Sequence, residues 1–235
     1  MTTDRIEPVT SPSPIALRDI TVDGAGLHYA EAGTGDPLVL LHGWPESHLA
    51  CHDYGGFLGL GFVQRYPERV RRFALFNPRA HRTFIPPYYL LFGMFTVAAR
   101  HRVTRPLLAA APIYWVHRWG MAGYLRNGTF DSARLDRYLQ MLRTPEGRRW
   151  YAHFWAGYQV RERPELAVRL AEITCPTTII WGVRDPAIPI TTAEQLARDI
   201  DGAELVRINA DHFLMEQCPE QVTEALRRWL HRPAR

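Results

Sequence analysis

The sequence predicts an α/β fold with a mostly parallel sheet and a large helical lid. Short, continuously apolar runs, typical of strands covered on both faces, alternate with helical segments at both ends of the chain. Between them the sequence loses its strand signals and becomes rich in aromatic residues and prolines. Strands that alternate with helices favour right-handed crossovers and a parallel sheet. We therefore predict an N-terminal core region at 1–78, a lid at 79–170 and a C-terminal core region at 171–235.

The composition excludes several classes of protein. The 235 residues are 46% apolar and 22% charged, enough to bury a sizeable core. No apolar run reaches the ~18 residues of a membrane-spanning helix, and the first dozen residues do not resemble a secretory signal. Three cysteines without C-x-x-C spacing argue against disulfides or zinc and favour a reducing cytoplasm. The net charge of +4 comes from dispersed arginines, which we interpret as solvated faces and helix ends, so we expect no nucleic-acid partner. We also expect no membrane partner, no cofactor and no metal.

The N-terminal elements are predicted to be a hairpin followed by a buried strand. Residues 17–22 and 27–31 alternate apolar and polar side chains around Asp23-Gly24-Ala25-Gly26, which indicates a β-hairpin. Residues 37–41 form a short apolar run and therefore predict a strand covered on both faces. This strand would end at His42-Gly43, at the sheet edge where parallel-sheet enzymes place their chemistry.

The remaining core elements follow the same alternation. Apolar spacing predicts a buried helix from Gly55 to Tyr66 and a strand from Val70 to Asn77. After the lid, residues 177–181 predict a strand and residues 191–200 an amphipathic helix. A last strand over residues 203–208 and a helix over residues 219–230 complete the prediction.

Residues 52–56, His-Asp-Tyr-Gly-Gly, have the composition of a nucleophile elbow. Such an elbow places a reactive side chain on a tight strand-to-helix turn, and small neighbours let the strained backbone close. Asp53 is the candidate nucleophile, because a carboxylate can attack an sp³ carbon and form an ester. The alternative is that Asp53 is only the N-cap of the following helix.

Two later residues can complete the chemistry. His212, in Ala210-Asp211-His212-Phe213, is a candidate base that activates water, and Asp185, after the predicted strand 177–181, is its candidate partner. Asp211 could compete with Asp185 for the imidazole. The alternatives are that His212 is structural and that Asp185, which precedes Pro186, only forms a turn.

The motif His42-Gly43-Trp44-Pro45, the elbow at Asp53, and Asp185 and His212 in this order resemble the α/β-hydrolase superfamily. Within it they are similar to the epoxide hydrolases and haloalkane dehalogenases, whose nucleophile is an aspartate. The resemblance implies a hydrolase that binds a small apolar substrate and forms an ester on Asp53, which water activated by His212 then opens. His42 and Gly43 would shape the site, and the backbone N–H groups of Trp44 and Tyr54 would bind the oxyanion.

Epoxide opening also requires an acid on the departing oxygen, which the family supplies from lid tyrosines. Arg149-Trp150-Tyr151 is similar to the segment that carries one of them, so Tyr151 is the first candidate. Tyr88, Tyr89 and Tyr114 are candidates for the second, and packing in the lid core is the alternative role for each. The dehalogenases place Trp directly after the nucleophile, whereas this chain has Tyr54, which favours epoxides.

The chain is unusually short before the elbow. Only six residues lie between Pro45 and His52, where the family inserts two helices and two strands, roughly 50 residues. The resemblance therefore implies a core that lacks about two strands and two helices. Strand 37–41 could take the missing place beside strand 70–76. The alternatives to an active hydrolase are an inactive homologue and a ligand-binding protein, and unpaired strand edges make a homo-oligomer plausible.

Overall fold

The computed structural model describes residues 14–44, 51–80, 85–158, 161 and 163–232. The chain divides into two compact units, residues 1–40 and residues 41–235, and each has its own sheet. The N-terminal tail and most of the short connection before the elbow, residues 45–50, lie outside the described residues. The lid boundaries at residues 79 and 170 stay a prediction.

The first unit contains the predicted hairpin. Strands β1 (Ala16–Val22) and β2 (Ala25–Glu31) pair in antiparallel register, with Ile20 opposite Leu27. The two-residue turn has positive φ at both positions, 49° at Asp23 and 79° at Gly24. This is the geometry that matches the right-handed twist of the strands, and glycine adopts it without steric cost. The hairpin prediction is confirmed.

The predicted buried strand at residues 37–41 is wrong. Residues 37–44 have no strand conformation, and Leu38, Val39 and Leu40 are 55%, 67% and 45% exposed. An apolar run becomes a buried strand only when neighbouring strands bond its backbone and helices cover its side chains. Among the described residues, no strand pairs with this run.

The second unit contains a parallel sheet of three strands in the order β3 (Phe73–Phe76), β4 (Thr177–Gly182) and β5 (Glu204–Ile208). In the residues that the structure describes, the sheet continues beyond β3 by one parallel bridge, between His52 and Phe76. The Phe76 N–H donates to the carbonyl of Cys51 at 3.0 Å, and the His52 N–H donates to that of Leu41 at 3.1 Å. A two-residue remnant thus occupies the place beside β3, so the conjecture that strand 37–41 pairs there is wrong.

Helices cover both faces of this sheet. Because side chains alternate along a strand, Leu75 and Ile179 face one core while Phe76 and Ile180 face the other. Helices α1 (Asp53–Arg65) and α9 (Ile190–Asp199) contribute to the first core, and α11 (Pro219–Leu230) contributes to the second. The predicted strands and helices of this region are confirmed, with β3 shorter than predicted and α1 starting two residues earlier.

The middle of this unit is helical, as its composition predicts. Seven helices occupy its described residues: α2 (Pro86–Arg100), α3 (Thr104–Ala110), α4 (Ile113–Gly120), α5 (Ala122–Arg126), α6 (Ser132–Leu139), α7 (Pro145–Gly157) and α8 (Pro164–Val168). The short helix α10 (Leu214–Gln217) lies between β5 and α11. We call residues 85–158 the cap. In the described part of the chain, no helix is long and apolar enough to cross a membrane.

Aromatic side chains hold the cap together. Helix α7 is capped by Thr144, whose hydroxyl accepts the Gly147 N–H at 3.0 Å, and the helix packs against α2 and α3. On its inner face, Tyr151 is fully buried and Trp155 is 3% exposed. Ring contacts with α2 reach from Phe95 to both of these side chains.

Candidate active site

Asp53 lies in a strained, buried turn at the start of α1. Its φ is +46°, which is sterically unfavourable for any residue with a Cβ, and it is 8% exposed. The N-cap of the helix is His52, which makes no side-chain capping bond, so capping does not explain the aspartate. Strain of this kind costs about 1–3 kcal/mol and persists only where the surrounding structure enforces it.

Glycines let the backbone close around this turn. A Cβ added to Gly43 would lie 2.7 Å from Asp53 Cβ and 3.2 Å from its Oδ2. A Cβ on Gly56 would lie 2.6 Å from Pro78 Cβ, and one on Gly55 would meet the carbonyl of Leu41. Gly43 therefore lies directly against the predicted nucleophile, as expected for a residue that shapes the site. His42 is exposed, and its Nδ1 lies 2.9 Å from the Gly43 carbonyl oxygen.

Asp185 and His212 form the expected pair. His212 Nδ1 lies 2.6 Å from Asp185 Oδ2, and the two side chains are 9% and 0% exposed. Both follow parallel strands, β4 and β5, at their carboxyl ends, where the short connections of such sheets build sites. The pairing fixes the imidazole with its Nδ1 hydrogen towards the carboxylate, so Nε2 is the basic nitrogen of the neutral ring.

Asn77 is a site residue that the sequence reasoning missed. It directly follows β3, is fully buried and has a φ of +39°. Its amide donates to Asp185 Oδ2 at 2.6 Å, and its Oδ1 accepts the Gly182 N–H at 2.8 Å. The signal in the sequence is its place at the carboxyl end of a predicted strand. The sequence pattern alone indicates no more than the end of that strand.

Donors stabilise the ionised form of Asp185. Burial acts to raise the pKa of this carboxyl, but the charge of His212 and the hydrogen bonds from His212, Asn77 and the Ile188 N–H hold the pKa below its usual value. The Oδ1 atom accepts backbone N–H groups of Ala187 and Ile188 at 2.8 and 3.0 Å. Asp185 therefore remains a carboxylate that can orient His212 and stabilise its protonated form.

His52 connects the elbow to the segment that carries His212. Its Nε2 donates to the His212 carbonyl at 2.9 Å, and the two imidazole rings are 4.6 Å apart. The residue before the candidate nucleophile and the candidate base are thus in direct contact. The shortened connection still brings the elbow to the correct edge of the sheet.

Asp211 does not compete for the imidazole. Its Oδ2 accepts the Asn127 amide at 3.0 Å and the Thr129 hydroxyl, and its Oδ1 accepts the Phe213 N–H at 2.9 Å. Its carboxylate is directed towards the cap rather than towards the ring of His212. The expectation that Asp211 could replace Asp185 is therefore wrong.

Tyr151 lies in the interior of the cap. Its hydroxyl is 2.8 Å from His117 Nε2, and its ring centroid is 5.6 Å from that of Trp44. Burial raises the pKa of Tyr151 and lowers that of His117 to about 4, so both groups are neutral at pH 7. Trp44 also contacts His117 and stacks on Phe154. The role of Tyr151 as an acid stays a prediction.

Two other cap tyrosines, Tyr88 and Tyr124, are affected by the charges of the site carboxylates. Burial raises the pKa of Tyr124 well above its usual value, and the charges of Tyr88, Asp185, Asp211 and Asp53 raise it further. Burial and the charge of Asp185 raise the pKa of Tyr88, and a hydrogen bond with Tyr124 lowers it. Tyr124, absent from the sequence-based candidates, lies on α5, whose five residues carry little periodic signal.

Tyr89, Tyr114 and Tyr54 differ in their surroundings. Tyr89 is 41% exposed, and the hydroxyl of Tyr114 donates to Asp136 at 2.8 Å while accepting a bond from Arg143. Tyr54 stacks on Tyr158 with centroids 4.8 Å apart. These contacts fix the side chain after the elbow, and oxyanion binding by the backbone of Trp44 and Tyr54 stays a prediction. In the described part of the chain, no three His, Cys, Asp or Glu side chains form a metal cluster.

This arrangement agrees with a comparison to protein families. A family model for the alpha/beta hydrolase fold matches residues 48–219. The chain belongs to the α/β-hydrolase family. The fold and the superfamily expected from the motifs are confirmed, and the family has epoxide hydrolases and haloalkane dehalogenases among the proteins similar to this chain.

Relatives of this α/β-hydrolase have low sequence identity. It is 22% identical to cis-3-alkyl-4-alkyloxetan-2-one decarboxylase of Shewanella oneidensis, over 73% of this chain and 74% of the relative. It is 21% identical to epoxide hydrolase 1 of Caenorhabditis elegans, over 85% of this chain and 52% of the relative. The chain thus spans about half the length of the nematode protein.

The structural comparison gives the fold alone. A haloalkane dehalogenase from Agrobacterium tumefaciens superposes with a TM-score of 0.68 at 18% identity, covering 93% of this α/β-hydrolase and 97% of the dehalogenase. The match supports the assignment of this chain to the α/β-hydrolase fold.

Proposed function

We propose that this α/β-hydrolase hydrolyses epoxides through an ester on Asp53. The observation that carries the proposal is the strained, buried Asp53, whose neighbour His52 contacts His212 of the hydrogen-bonded Asp185–His212 pair. Strain retained at a carboxylate that caps nothing is expected where the side chain must be presented to a substrate. The aromatic cap supplies an environment for a small apolar substrate.

The chemistry divides into two steps. In the first, an Asp53 carboxylate oxygen attacks a ring carbon, the carbon–oxygen bond of the epoxide breaks, and a cap tyrosine protonates the departing oxygen. In the second, His212 removes a proton from water, which attacks the Asp53 ester carbonyl. The diol leaves, Asp53 is a carboxylate again, and the imidazolium proton returns to the tyrosinate.

Asp185 and the oxyanion-binding amides act on the second step. The imidazolium that forms at His212 is stabilised by the buried Asp185 carboxylate 2.6 Å away. Amide N–H groups of Trp44 and Tyr54 are proposed to bind the oxyanion of the tetrahedral intermediate. Each such donor lowers the barrier by about 3 kcal/mol.

For the acid we propose Tyr124, assisted by Tyr88, as an alternative to Tyr151. The ring of Tyr124 lies 4.9 Å from that of Phe213, the residue after His212, whereas the hydroxyl of Tyr151 is paired with His117. Tyr124→Phe is expected to slow ester formation by a hundredfold or more, within the 10²–10⁴ range of general acid catalysis. Tyr151→Phe is the matched comparison, and a larger loss there would assign the acid to Tyr151.

The test of the proposed function is single-turnover mass spectrometry with styrene oxide. His212→Gln is expected to accumulate one alkyl adduct on Asp53, because ring opening proceeds and ester hydrolysis does not. Asp53→Asn is expected to form none. If cooperatively folded wild-type protein and His212→Gln both remain unmodified and no diol appears, the proposal is wrong.

A second candidate is opening of a four-membered lactone. The observation that favours it is the similarity to the Shewanella decarboxylase, which covers 74% of that protein. A cis-3-alkyl-4-alkyloxetan-2-one incubated with the protein would then release carbon dioxide and an alkene. Haloalkanes, tested by halide release, are the further alternative suggested by the dehalogenase.

An inactive or ligand-binding homologue is the remaining alternative. The exposed residues 38–40 and the short remnant beside β3 favour it, because they mark a core with fewer strands. Saturable binding of an apolar ligand without product, unchanged in His212→Ala, would support this alternative over an enzyme.

A further inference from the structure

The segment that carries His212 is held by the core on one side. The carbonyl of Ala210 accepts the Arg184 N–H at 2.9 Å, and the carbonyl of His212 accepts His52 Nε2 at 2.9 Å. These bonds fix the backbone on the sheet side of the imidazole. They do not fix the side of the segment that faces the cap.

On the cap side, the segment that carries His212 is bound through the buried carboxylate of Asp211. Asp211 is 4% exposed, and it joins two places: its Oδ2 accepts donors from Asn127 and Thr129 of the cap, and its Oδ1 accepts the N–H of Phe213. Asp211 and Phe213 flank His212 in the chain. The cap donors therefore hold both peptide neighbours of the candidate base through one side chain.

The donors are arranged by a turn that follows α5. The Thr129 N–H donates to the Tyr124 carbonyl at 2.9 Å and to Asn127 Oδ1 at 3.2 Å. These bonds fix the turn. The Thr129 hydroxyl has one hydrogen and two oxygens in reach, Asn127 Oδ1 at 2.8 Å and the Asp211 carboxylate. Because the amide oxygen already accepts the backbone N–H, the hydroxyl donates to the charged oxygen, where the bond is stronger. Thr129 is only 3% exposed, so water does not compete.

Ring packing surrounds the same turn. The Phe213 ring lies 4.9 Å from that of Tyr124, on α5 before the turn, and 4.9 Å from that of Phe130, directly after it. The apolar contacts and the hydrogen bonds thus join the same two short segments. Displacing the turn would disturb both kinds of contact with the His212 segment.

We propose that the Asn127–Thr129 turn of the cap positions His212 through Asp211. Asp211, Asn127 and Thr129 are positioning residues, since their bonds act on the backbone beside the imidazole. The inference rests on the proposed function for its kinetic consequence, because a displaced imidazole would slow the opening of the Asp53 ester. The position of the ring itself does not depend on which substrate the enzyme uses.

The test compares Thr129→Val, which removes the hydroxyl at constant volume, with Thr129→Ser, which keeps it. Thr104→Val is the control, because its hydroxyl also bonds within the cap, to the Ala98 carbonyl at 2.7 Å. The first measurement is the imidazole Cε1–Hε1 NMR signal of His212, assigned by its loss in His212→Gln. The second is a single turnover with styrene oxide that separates ester formation from ester hydrolysis.

We expect Thr129→Val to shift the His212 signal and its titration midpoint, and to slow ester hydrolysis about tenfold to a hundredfold with ester formation unchanged. Thr129→Ser and Thr104→Val should match the wild type in both. An unchanged signal in Thr129→Val, or an equal shift in Thr104→Val, would overturn the inference. If the wild type forms no ester, the proposed function fails, and the NMR signal still decides the positioning role.

Discussion

Asn77, which follows β3, joins Gly182 of β4 to Asp185 of the Asp185–His212 pair. Its amide group donates to the carboxylate and accepts from the backbone of Gly182, and it is fully buried. A buried amide with both ends used cannot be replaced without leaving a partner unsatisfied. A strand-terminal asparagine can therefore hold an active-site acid in place.

Asn77→Ala is expected to destabilise the fold by about 2–3 kcal/mol, because it leaves the Gly182 N–H unpaired and removes a donor from a buried carboxylate. The pKa of Asp185 should rise, since one of the bonds that lower it is lost. Stability from this carboxylate exists above its unfolded pKa and is lost as pH falls through its folded pKa. In the variant this stabilisation should therefore be smaller, and on acidification it should be completely lost at a higher pH than in the wild type. Urea unfolding across acidic pH measures both effects, with exposed Asn209→Ala as the control.

His117 makes the stability of the cap depend on pH. Burial lowers its pKa from 6.5 to about 4, so the unfolded chain binds a proton that the folded chain does not. Stability from this group is complete above about pH 6.5 and decreases as pH falls towards 4. The loss should reach about 2–3 kcal/mol. Thermal unfolding between pH 7 and 4 measures it, and His117→Gln should flatten this part of the profile whereas exposed His153→Gln should not.

At the scale of elements, helix α1 shows how the elbow is fixed. Glycines at its start lie against other backbone, while Gly61 further along has open space around its Cα. The two kinds of glycine cannot be distinguished from sequence, because both occur in one run of alternating small and apolar residues. Close backbone approach at the start of the helix is what places Asp53 at the sheet edge.

Gly55→Ala is expected to destabilise the protein by about 2 kcal/mol or more, because the new Cβ meets the Leu41 carbonyl and lies 2.7 Å from that of His42. Gly61→Ala is the matched control within the same helix. It should stabilise the protein by up to about 1 kcal/mol, since alanine favours the helix and nothing lies within 4 Å. Chemical unfolding compares the two. Equal effects would show that α1 does not pack against residues 41 and 42.

Other elements were predictable because their sequence patterns agree with their surroundings. The terminal helix α11 is amphipathic and the strands β4 and β5 have helices beside them, so periodicity was enough. Residues 37–41 carry the same apolar signal without covering elements among the described residues, and there the pattern gave a strand that does not form.

At the scale of the whole molecule, apolar side chains of the first unit are exposed. On the hairpin, Ile20 and Leu27 are directly opposite each other and are 49% and 51% exposed. Leu38, Val39 and Leu40 are exposed as well. Neighbouring apolar side chains of this kind favour association between copies of a chain.

We expect the purified protein to self-associate in a concentration-dependent way. The double variant Ile20→Lys and Leu27→Glu should shift it towards monomer by placing charges on the apolar face of the hairpin. Asp19→Asn with His28→Gln, on the opposite face, is the control and should leave association unchanged. Light scattering after size-exclusion chromatography measures the mass. A wild type that is monomeric at every concentration would contradict this expectation.

The sequence by itself determined the family, the parallel α/β core and the helical middle of the chain, and it gave Asp53, Asp185 and His212 as candidate site residues, because motif spacing and apolar periodicity are local properties. Only the tertiary structure decided which side chains meet. It paired His212 with Asp185, directed Asp211 to the cap, brought in Asn77, and placed a two-residue remnant beside β3. These contacts join residues distant in the chain, and their partners are selected by packing and by the need to satisfy buried polar groups.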